Sequence, residues 1–206
     1  MYPHGGRRGR SAGRALGQLG QNRVRDTHVS RAATVWLTGL SGAGKTTIAE
    51  AVAERLRAAG REVEVLDGDE LRRGLSAGLG FSREDRDIHV RRVGFVAELL
   101  ARHGVVTLVP VIAPYAATRD EVRARHDVHA TGYLEVHVAT PLAECARRDV
   151  KGLYARAAAG ELTGMTGVDD PYEEPDKPDL RLATTGMDVT VVAQQVLDLL
   201  IERGVL

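Results

Sequence analysis

The sequence has one cysteine, no long apolar run and no visible internal repeat. A single cysteine, Cys145, excludes a disulfide within the chain and favours a reducing compartment. No apolar stretch approaches the roughly 18–20 residues that a membrane span needs. The N-terminal arginines are not followed by the apolar segment of a secretory signal. These absences argue against a disulfide-stabilised secreted protein, and we expect a cytoplasmic protein with no membrane partner.

Positive and negative charges balance over the chain but are unevenly distributed. Residues 1–30 hold six arginines and one aspartate, a charge of +5, so the remainder carries −5 against a total of zero. The first 27 residues also lack apolar periodicity, and we expect them to form a flexible basic tail. Tyr2 is their one aromatic residue, so they offer few stacking contacts for bases, and we expect no nucleic-acid partner.

Residues 28–206 have the size and composition of one globular domain, in a chain that is 43% hydrophobic and 27% charged. Apolar strands alternate with helical patterns, which is typical of a parallel α/β sandwich. A glycine-rich segment of mixed charge, approximately 151–173, has the composition of a mobile lid, and residues 70–82 look irregular. The predicted strands are 35–37, 63–66, 105–112, 133–138 and 180–183, and the predicted helices are 48–57, 82–102, 118–126, 141–149 and 189–203.

A phosphate-binding loop follows the first predicted strand. Gly39, Gly44, Lys45 and Thr46 fit the pattern G-x-x-x-x-G-K-[ST], and strand, loop and helix occur in the required order. Glycines let the backbone curl so that its N–H groups converge on a phosphate, at the positive end of the next helix. The nucleotide contacts predicted from this loop are Gly39, Leu40, Ser41, Gly42, Ala43, Gly44, Lys45, Thr46 and Thr47.

This pattern predicts a site for ATP and Mg2+ rather than a simple turn. Lys45 would reach the β- and γ-phosphates, and the Thr46 hydroxyl would be a metal ligand. Asp67, Gly68 and Asp69 directly follow the second predicted strand, at the end where open α/β sheets bind ligands. With a phosphate loop one βα unit earlier, the two acids are better explained as functional groups than as a turn.

Several further motifs resemble those of adenylylsulfate (APS) kinases. They span roughly residues 28–200 and comprise the phosphate loop, Leu66-Asp67-Gly68-Asp69-x-x-Arg72, Gly80-Phe81-Ser82-x-x-Asp85-Arg86, Arg91-Arg92, Pro114-Tyr115, Arg148-Asp149-x-Lys151-Gly152-Leu153-Tyr154 and Thr166-Gly167-x-Asp169-Asp170-Pro171-Tyr172-Glu173. The resemblance implies a P-loop NTPase-type three-layer sandwich with a mostly parallel sheet and a lid. It also implies a cytosolic homodimer that transfers the γ-phosphoryl group of ATP to the 3′-hydroxyl of APS, giving PAPS in sulfate assimilation.

The resemblance also assigns roles to individual residues. Asp69 would accept the hydroxyl proton, Asp67 would organise Mg2+ through water, and Lys151 would close over the phosphates. On the acceptor side, Arg72 and Arg86 would clamp the substrate, and Phe81 would stack on its adenine. The remaining predicted acceptor contacts are His89, Ile112, Ala113, Tyr115 and Met165.

Four positions depart from the family pattern, and all four lie on the acceptor side. His89 replaces an asparagine, Ala113 a serine, Ala116 an arginine, and Met165 a lid phenylalanine that would form a second face for the adenine. Ala113 has no hydroxyl to carry a phosphoryl group, although direct in-line transfer does not need one. The departures leave two alternatives open: a kinase of this fold with another alcohol as acceptor, and a nucleotide-binding protein without catalytic activity.

Overall fold

The computed structural model describes residues 32–206; the predicted basic tail, residues 1–27, and residues 28–31 lie outside that range. The strands are β1 (Ala33–Thr38), β2 (Val63–Val65), β3 (Val106–Pro110), β4 (Gly132–Val138) and β5 (Leu180–Leu182). The helices are α1 (Lys45–Ala58), α2 (Gly68–Arg73), α3 (Arg83–Arg102), α4 (Ala116–Val128), α5 (Leu142–Arg148), α6 (Leu153–Ala158) and α7 (Val189–Glu202).

The five strands form one sheet in the order β2-β3-β1-β4-β5, and all four pairings are parallel. Trp36 of β1 lies level with Val109 of β3 and with Glu135 of β4. Since β1 lies in the centre, the loop that leaves its carboxyl end opens into the crevice where α/β sheets bind ligands. The α/β fold class predicted from the sequence is confirmed.

Alternation of side chains along β1 divides the core into two apolar clusters, one on each face of the sheet. Val35 belongs to the cluster beneath α1 and α7, which also contains Val196. Trp36 points to the other face and belongs to the cluster beneath α3 and α4, with Val93 and Val122. Because helices cover both faces, β1, β3 and β4 are buried on both sides, and the molecule has the predicted three layers.

The expectation of an irregular segment at 70–82 was wrong for its first residues. The short helix α2 begins at Gly68 and ends at Arg73. The Asp67 carboxylate caps it by accepting hydrogen bonds from the amides of Asp69 (2.9 Å) and Glu70 (3.2 Å). Local capping therefore outweighs the low helical propensity of a glycine at the first position.

The segment predicted as a lid combines one short helix with loops. It contains α6, and beyond that helix an isolated bridge joins Thr166 to Asp170. Elsewhere helix boundaries move by a few residues, as where α1 begins at Lys45 rather than Ile48. No helix within residues 32–206 has both the length and the apolar character needed to cross a membrane.

Candidate active site

The loop between β1 and α1 has the backbone geometry that a phosphate cradle requires. Gly44 lies at the N-terminal boundary of α1 with a φ of 100°, a left-handed conformation that favours glycine. At Gly39, a Cβ atom would lie 2.6 Å from the carbonyl oxygen of Val138, so the close approach of β4 excludes a side chain there. The glycine positions that matched the sequence pattern therefore have a steric reason in the fold.

Lys45 lies under this loop and is 8% exposed. Its Nζ donates hydrogen bonds to the carbonyl oxygens of Gly39 (3.0 Å) and Leu40 (2.7 Å). Burial, together with the nearby charge of Lys151, lowers the pKa of Lys45 to about 8. An anion in the loop would offset both effects, so the ammonium is placed to bind phosphate oxygens.

Two side chains from outside the loop hold its backbone, and neither was assigned a separate role in the sequence analysis. The Thr140 hydroxyl donates to the carbonyl oxygen of Ala43 at 2.8 Å. The Tyr154 hydroxyl, from α6, donates to the carbonyl oxygen of Ser41 at 2.9 Å. Tyr154 occurs in one of the motifs that carried the family resemblance, which was the available signal. Through it the lid segment contacts the phosphate loop directly.

Thr46 and Asp67 bring two oxygen ligands together beside the loop. The Thr46 hydroxyl donates to Asp67 Oδ2 at 3.0 Å, while the other carboxylate oxygen caps α2. Within the described residues no group of three or more His, Cys, Asp or Glu side chains is placed to hold a metal ion. Mg2+ in nucleotide sites usually takes one or two protein oxygen atoms and completes its coordination with phosphates and water.

Asp69 and Lys151 form an ion pair that spans the site. Asp69 lies in the first turn of α2, and the Lys151 ammonium from the lid donates to Asp69 Oδ2. Both side chains are more than half exposed, at 59% and 55%. Exposed pairs of this kind contribute only about 0–1 kcal/mol, so a ligand can separate the two charges at little cost.

Phe81 presents an exposed aromatic face on the acceptor side. The residue is 68% exposed and belongs to neither core cluster. The guanidinium carbon of Arg72 lies 4.6 Å from the centre of the Phe81 ring, and Arg72 Nη1 donates to the carbonyl oxygen of Gly80 at 3.0 Å. The structure thus brings these two predicted acceptor contacts together.

Arg86 is buried and bonded to the lid rather than free to face solvent. Its Nε donates to the carbonyl oxygen of Phe81 at 2.7 Å, and its Nη1 and Nη2 donate to Thr166 Oγ1 and to the carbonyl oxygen of Gly164. Asp170 lies 3.6 Å from Nη1. Arg86 therefore joins the start of α3 to the end of the lid. These residues are far apart in the sequence, so motif spacing could not have predicted the contact.

His89 lies one turn further along α3 and is 5% exposed. Its Nδ1 is 2.9 Å from the hydroxyl oxygen of Ser76, which is also buried. Burial, reinforced by the charges of Arg72 and Arg92, lowers the pKa of His89 to about 4. The imidazole is consequently neutral near pH 7, and one of its two nitrogens is already engaged by the protein.

The turn after β3 contains the other predicted acceptor residues. The carbonyl oxygen of Ile112 accepts a hydrogen bond from the Thr38 hydroxyl at 2.5 Å, and that of Ala113 accepts one from Arg119 at 2.8 Å. Ala113 has a φ of 43°, so its backbone is in the left-handed region. Tyr115 is 2% exposed, and its hydroxyl donates to Asp170 at 3.0 Å.

Met165 and Phe81 differ in burial. Met165 is 6% exposed and packs in the apolar cluster on the α1 face of the sheet, whereas the Phe81 ring lies outside both clusters. The Asp169 carboxylate fixes the lid backbone here by accepting hydrogen bonds from the amides of Gly164 (2.6 Å) and Met165 (2.5 Å). Of the two predicted adenine contacts, the Phe81 ring is therefore open to solvent, whereas the Met165 side chain is buried.

Two open cavities lie beside the phosphate loop and share Leu40, Tyr172 and Glu174 as lining residues. Their volumes are about 470 and 300 Å3. Neither is lined by Asp69 or Lys151. The site is therefore defined by converging donors and charges between the loop, α2 and the lid, rather than by the depth of a cavity.

Comparisons with known proteins place this geometry in one family. A family model described as adenylylsulphate kinase matches residues 31–183. An adenylyl-sulfate kinase of Picosynechococcus sp. is 53% identical over 174 residues, 84% of this chain and 96% of the relative. A probable adenylyl-sulfate kinase of Synechocystis sp. is 57% identical over 155 residues, 75% of this chain and 85% of the relative. The solved APS kinase of Mycobacterium tuberculosis, in complex with AMPPNP and APS, is 49% identical with a TM-score of 0.81, covering 83% of this chain and 98% of that one.

Proposed function

The chain belongs to the adenylylsulphate kinase family, and from that premise we propose that it phosphorylates APS with ATP. The 3′-hydroxyl oxygen of APS attacks the γ-phosphorus, the bond from that phosphorus to the β–γ bridging oxygen breaks, and ADP and PAPS leave. The observation that carries the proposal is a carboxylate, Asp69, that pairs with Lys151 and lies close enough to Lys45 of the phosphate loop to favour its charged form. The similarity to APS kinases over most of the chain favours APS over another alcohol.

The phosphate loop and Lys45 hold the donor. Phosphoryl transfer depends on positioning and on charge neutralisation more than on covalent chemistry. The two carbonyl hydrogen bonds of the Lys45 ammonium would be exchanged for bonds to the β- and γ-phosphates, each worth about 1.5–3 kcal/mol because a charge is involved. The predicted contacts from Gly39 to Thr47 surround the same anion through backbone amides.

Thr46 and Asp67 are suited to Mg2+, because a hydroxyl and a carboxylate oxygen are the hard ligands that this ion prefers. When bound with ATP, Mg2+ would neutralise part of the charge on the phosphate oxygens. Thr46 would bind it directly, and Asp67 would act through water while its second oxygen continues to cap α2.

Asp69 is the group that accepts the proton of the attacking hydroxyl. In the free protein its charge is paired with Lys151, and this exposed pair opens when substrates enter. The released ammonium then contacts the transferring phosphoryl group, while the carboxylate hydrogen-bonds to the acceptor hydroxyl. A single ion pair thereby supplies both the base and a cation.

The acceptor lies against Phe81, Arg72 and the turn after β3. The exposed ring of Phe81 stacks on the adenine, and Arg72 moves from the ring face to an anionic group of the substrate. Ile112, Ala113 and Tyr115 line the other wall, with His89 beneath. Arg86 holds the lid over the pocket, and Met165 stabilises the lid by its burial.

Binding of the triphosphate is expected to weaken as the pH rises above 8. The pKa of Lys45 in the free protein is about 8, so above that pH its ammonium must regain a proton before it can bind phosphate. At pH 9 we expect affinity about tenfold lower than at pH 7, with a slope approaching tenfold per pH unit. Calorimetry with a non-hydrolysable ATP analogue, in two buffers of different ionisation enthalpy, would detect the proton uptake. A flat profile without proton uptake would contradict this expectation.

The proposed reaction is tested by product analysis with APS and Mg2+-ATP. We expect one PAPS for each ADP, separated by anion-exchange chromatography and identified by mass. AMP, adenosine and a panel of other alcohols serve as competing acceptors. Phosphorylation of another alcohol without PAPS formation would support the altered-acceptor alternative, and tight APS binding without turnover would support the non-catalytic one.

The oligomeric state of the protein and its location in the cell are a separate matter from its reaction. The homodimer, the cytoplasmic location and the movement of the lid over residues 151–173 stay predictions from the sequence. Measurement of the molar mass in solution by light scattering tests the first of them.

A further inference from the structure

Arg83 is a guanidinium at the mouth of the acceptor site that the sequence motifs did not indicate. It is the first residue of α3 and follows Phe81 by two positions. A cation at the N-terminus of a long helix is electrostatically unfavourable, because the helix dipole is positive there. Helix stability therefore does not account for an arginine at this position.

The Arg83 side chain is held over Tyr115 but keeps its donors accessible. Its guanidinium carbon lies 4.2 Å from the centre of the Tyr115 ring, and the side chain is 63% exposed. Tyr115 is itself fixed by its hydrogen bond to Asp170. The stacking orients a planar cation without consuming its N–H groups, which is the usual way that arginine is prepared for an anionic ligand.

Among the arginines at positions 72, 83 and 86, Arg83 makes the fewest hydrogen bonds within the described residues. Arg86 donates hydrogen bonds from all three of its nitrogens, and Arg72 donates one to the carbonyl oxygen of Gly80. Within residues 32–206, the polar contact of Arg83 is an ion pair of 4.0 Å with Glu173, whose side chain is 41% exposed. Such a pair is weak, so an anion of higher charge density can displace it.

The carboxylate of Glu173 connects Arg83 to position 116. Glu173 Oε2 accepts a hydrogen bond from the amide of Ala116 at 2.7 Å, and Glu173 Oε1 faces Arg83. Residues 83 and 116 therefore flank the same carboxylate. A positive side chain at either position would act on the same region of the acceptor pocket, and in this chain the one at 83 is present.

We propose that Arg83 binds the phosphosulfate group of APS and so sets the affinity of the acceptor site. The proposal rests on APS being the acceptor. Tyr115, on which Arg83 stacks, is one of the predicted acceptor contacts, so the exposed guanidinium lies beside the proposed acceptor pocket. Arg83 contributes to acceptor binding and not to donor binding or to proton transfer.

The test is steady-state kinetics of an Arg83→Ala variant with APS and ATP. We expect the KM for APS to rise about tenfold, the size of one partly exposed charge-assisted contact, while kcat and the KM for ATP stay within about twofold. Arg83→Lys keeps the charge but loses the planar stack, and should recover part of the affinity. Arg91→Ala is the matched control, because Arg91 lies on the same helix in an exposed pair with Glu121.

Two further measurements separate an anion contact from a structural effect. Adenosine lacks the phosphosulfate group, so its inhibition constant should be equal for wild type and Arg83→Ala. Adding Ala116→Arg to the Arg83→Ala variant should restore the KM for APS to within about threefold of wild type. An unchanged KM for APS, or an equal loss of adenosine binding, would overturn the proposal.

Direct binding measurements keep this proposal distinct from the proposed function. If wild-type protein binds APS without forming PAPS, the proposed reaction fails, and the role of Arg83 is still decided by the dissociation constants of wild type and variant. If wild-type protein does not bind APS at all, both proposals are wrong.

Discussion

Lys45→Ala is expected to lower kcat/KM for ATP by at least about a thousandfold. This corresponds to a loss of ~4 kcal/mol in transition-state stabilisation, at 1.36 kcal/mol for each factor of ten. Lys45 places a buried ammonium directly beneath the phosphate loop, bonded to the carbonyl oxygens of Gly39 and Leu40. Two bonds from this ammonium to the β- and γ-phosphates account for a loss of that size. A coupled assay of ADP release measures it.

Lys177→Ala is the control for this experiment, since Lys177 is exposed and lies outside the site. The folded state should survive the change at position 45, because burial lowers the pKa of Lys45 and the buried charge therefore costs free energy in the folded protein. Thermal unfolding would check this. A variant that folds normally and keeps more than about a tenth of the wild-type rate would exclude Lys45 from its assigned role.

Asp69→Asn is expected to reduce kcat by about a hundredfold to ten-thousandfold, the usual range for loss of a general base. The amide keeps the shape of the side chain and can still accept a hydrogen bond from Lys151, so the lid contact is conserved while the base is lost. Affinity for a non-hydrolysable ATP analogue should change by less than about threefold, because the phosphate loop is untouched.

Glu70→Gln provides a matched comparison for this variant. Glu70 is exposed in the same turn of α2, and Asp67 contacts its backbone amide rather than its carboxylate. Glu70→Gln removes one negative charge from the same helical turn, as Asp69→Asn does, but it should leave kcat near the wild-type value. If Asp69→Asn also turned over at nearly the wild-type rate, the assignment of the base would be wrong.

The sequence was sufficient to locate the phosphate loop because the signal for that loop is local. The spacing of Gly39, Gly44 and Lys45 follows from backbone geometry within nine residues, and the apolar run before them marks a central strand. The same reasoning missed the start of α2, where one carboxylate, Asp67, stabilises a turn that contains glycine. Capping by a residue with a second role is difficult to recognise in a sequence.

Acceptor-side side chains could be named from the resemblance but not placed. Arg86 is bonded to lid residues about 80 positions later in the chain, and Met165 packs in the apolar cluster that also contains residues of α1 and α7. Arg83 gave no signal, since its stacking on Tyr115 depends on how α3 and α4 meet. These contacts arise from packing between distant segments, which periodicity and motif spacing do not encode.

The residues proposed to bind ATP and those proposed to contact the alcohol follow different strands of the sheet, one central and one at the edge. The phosphate loop follows a six-residue strand paired on both sides, whereas Asp69 and Arg72 follow β2, a three-residue edge strand paired only with β3 among the described strands. Edge elements open at lower free energy than a central strand. In the proposed reaction, substitutions after β2 would therefore change which alcohol is accepted, while the phosphate loop that binds ATP keeps its conformation.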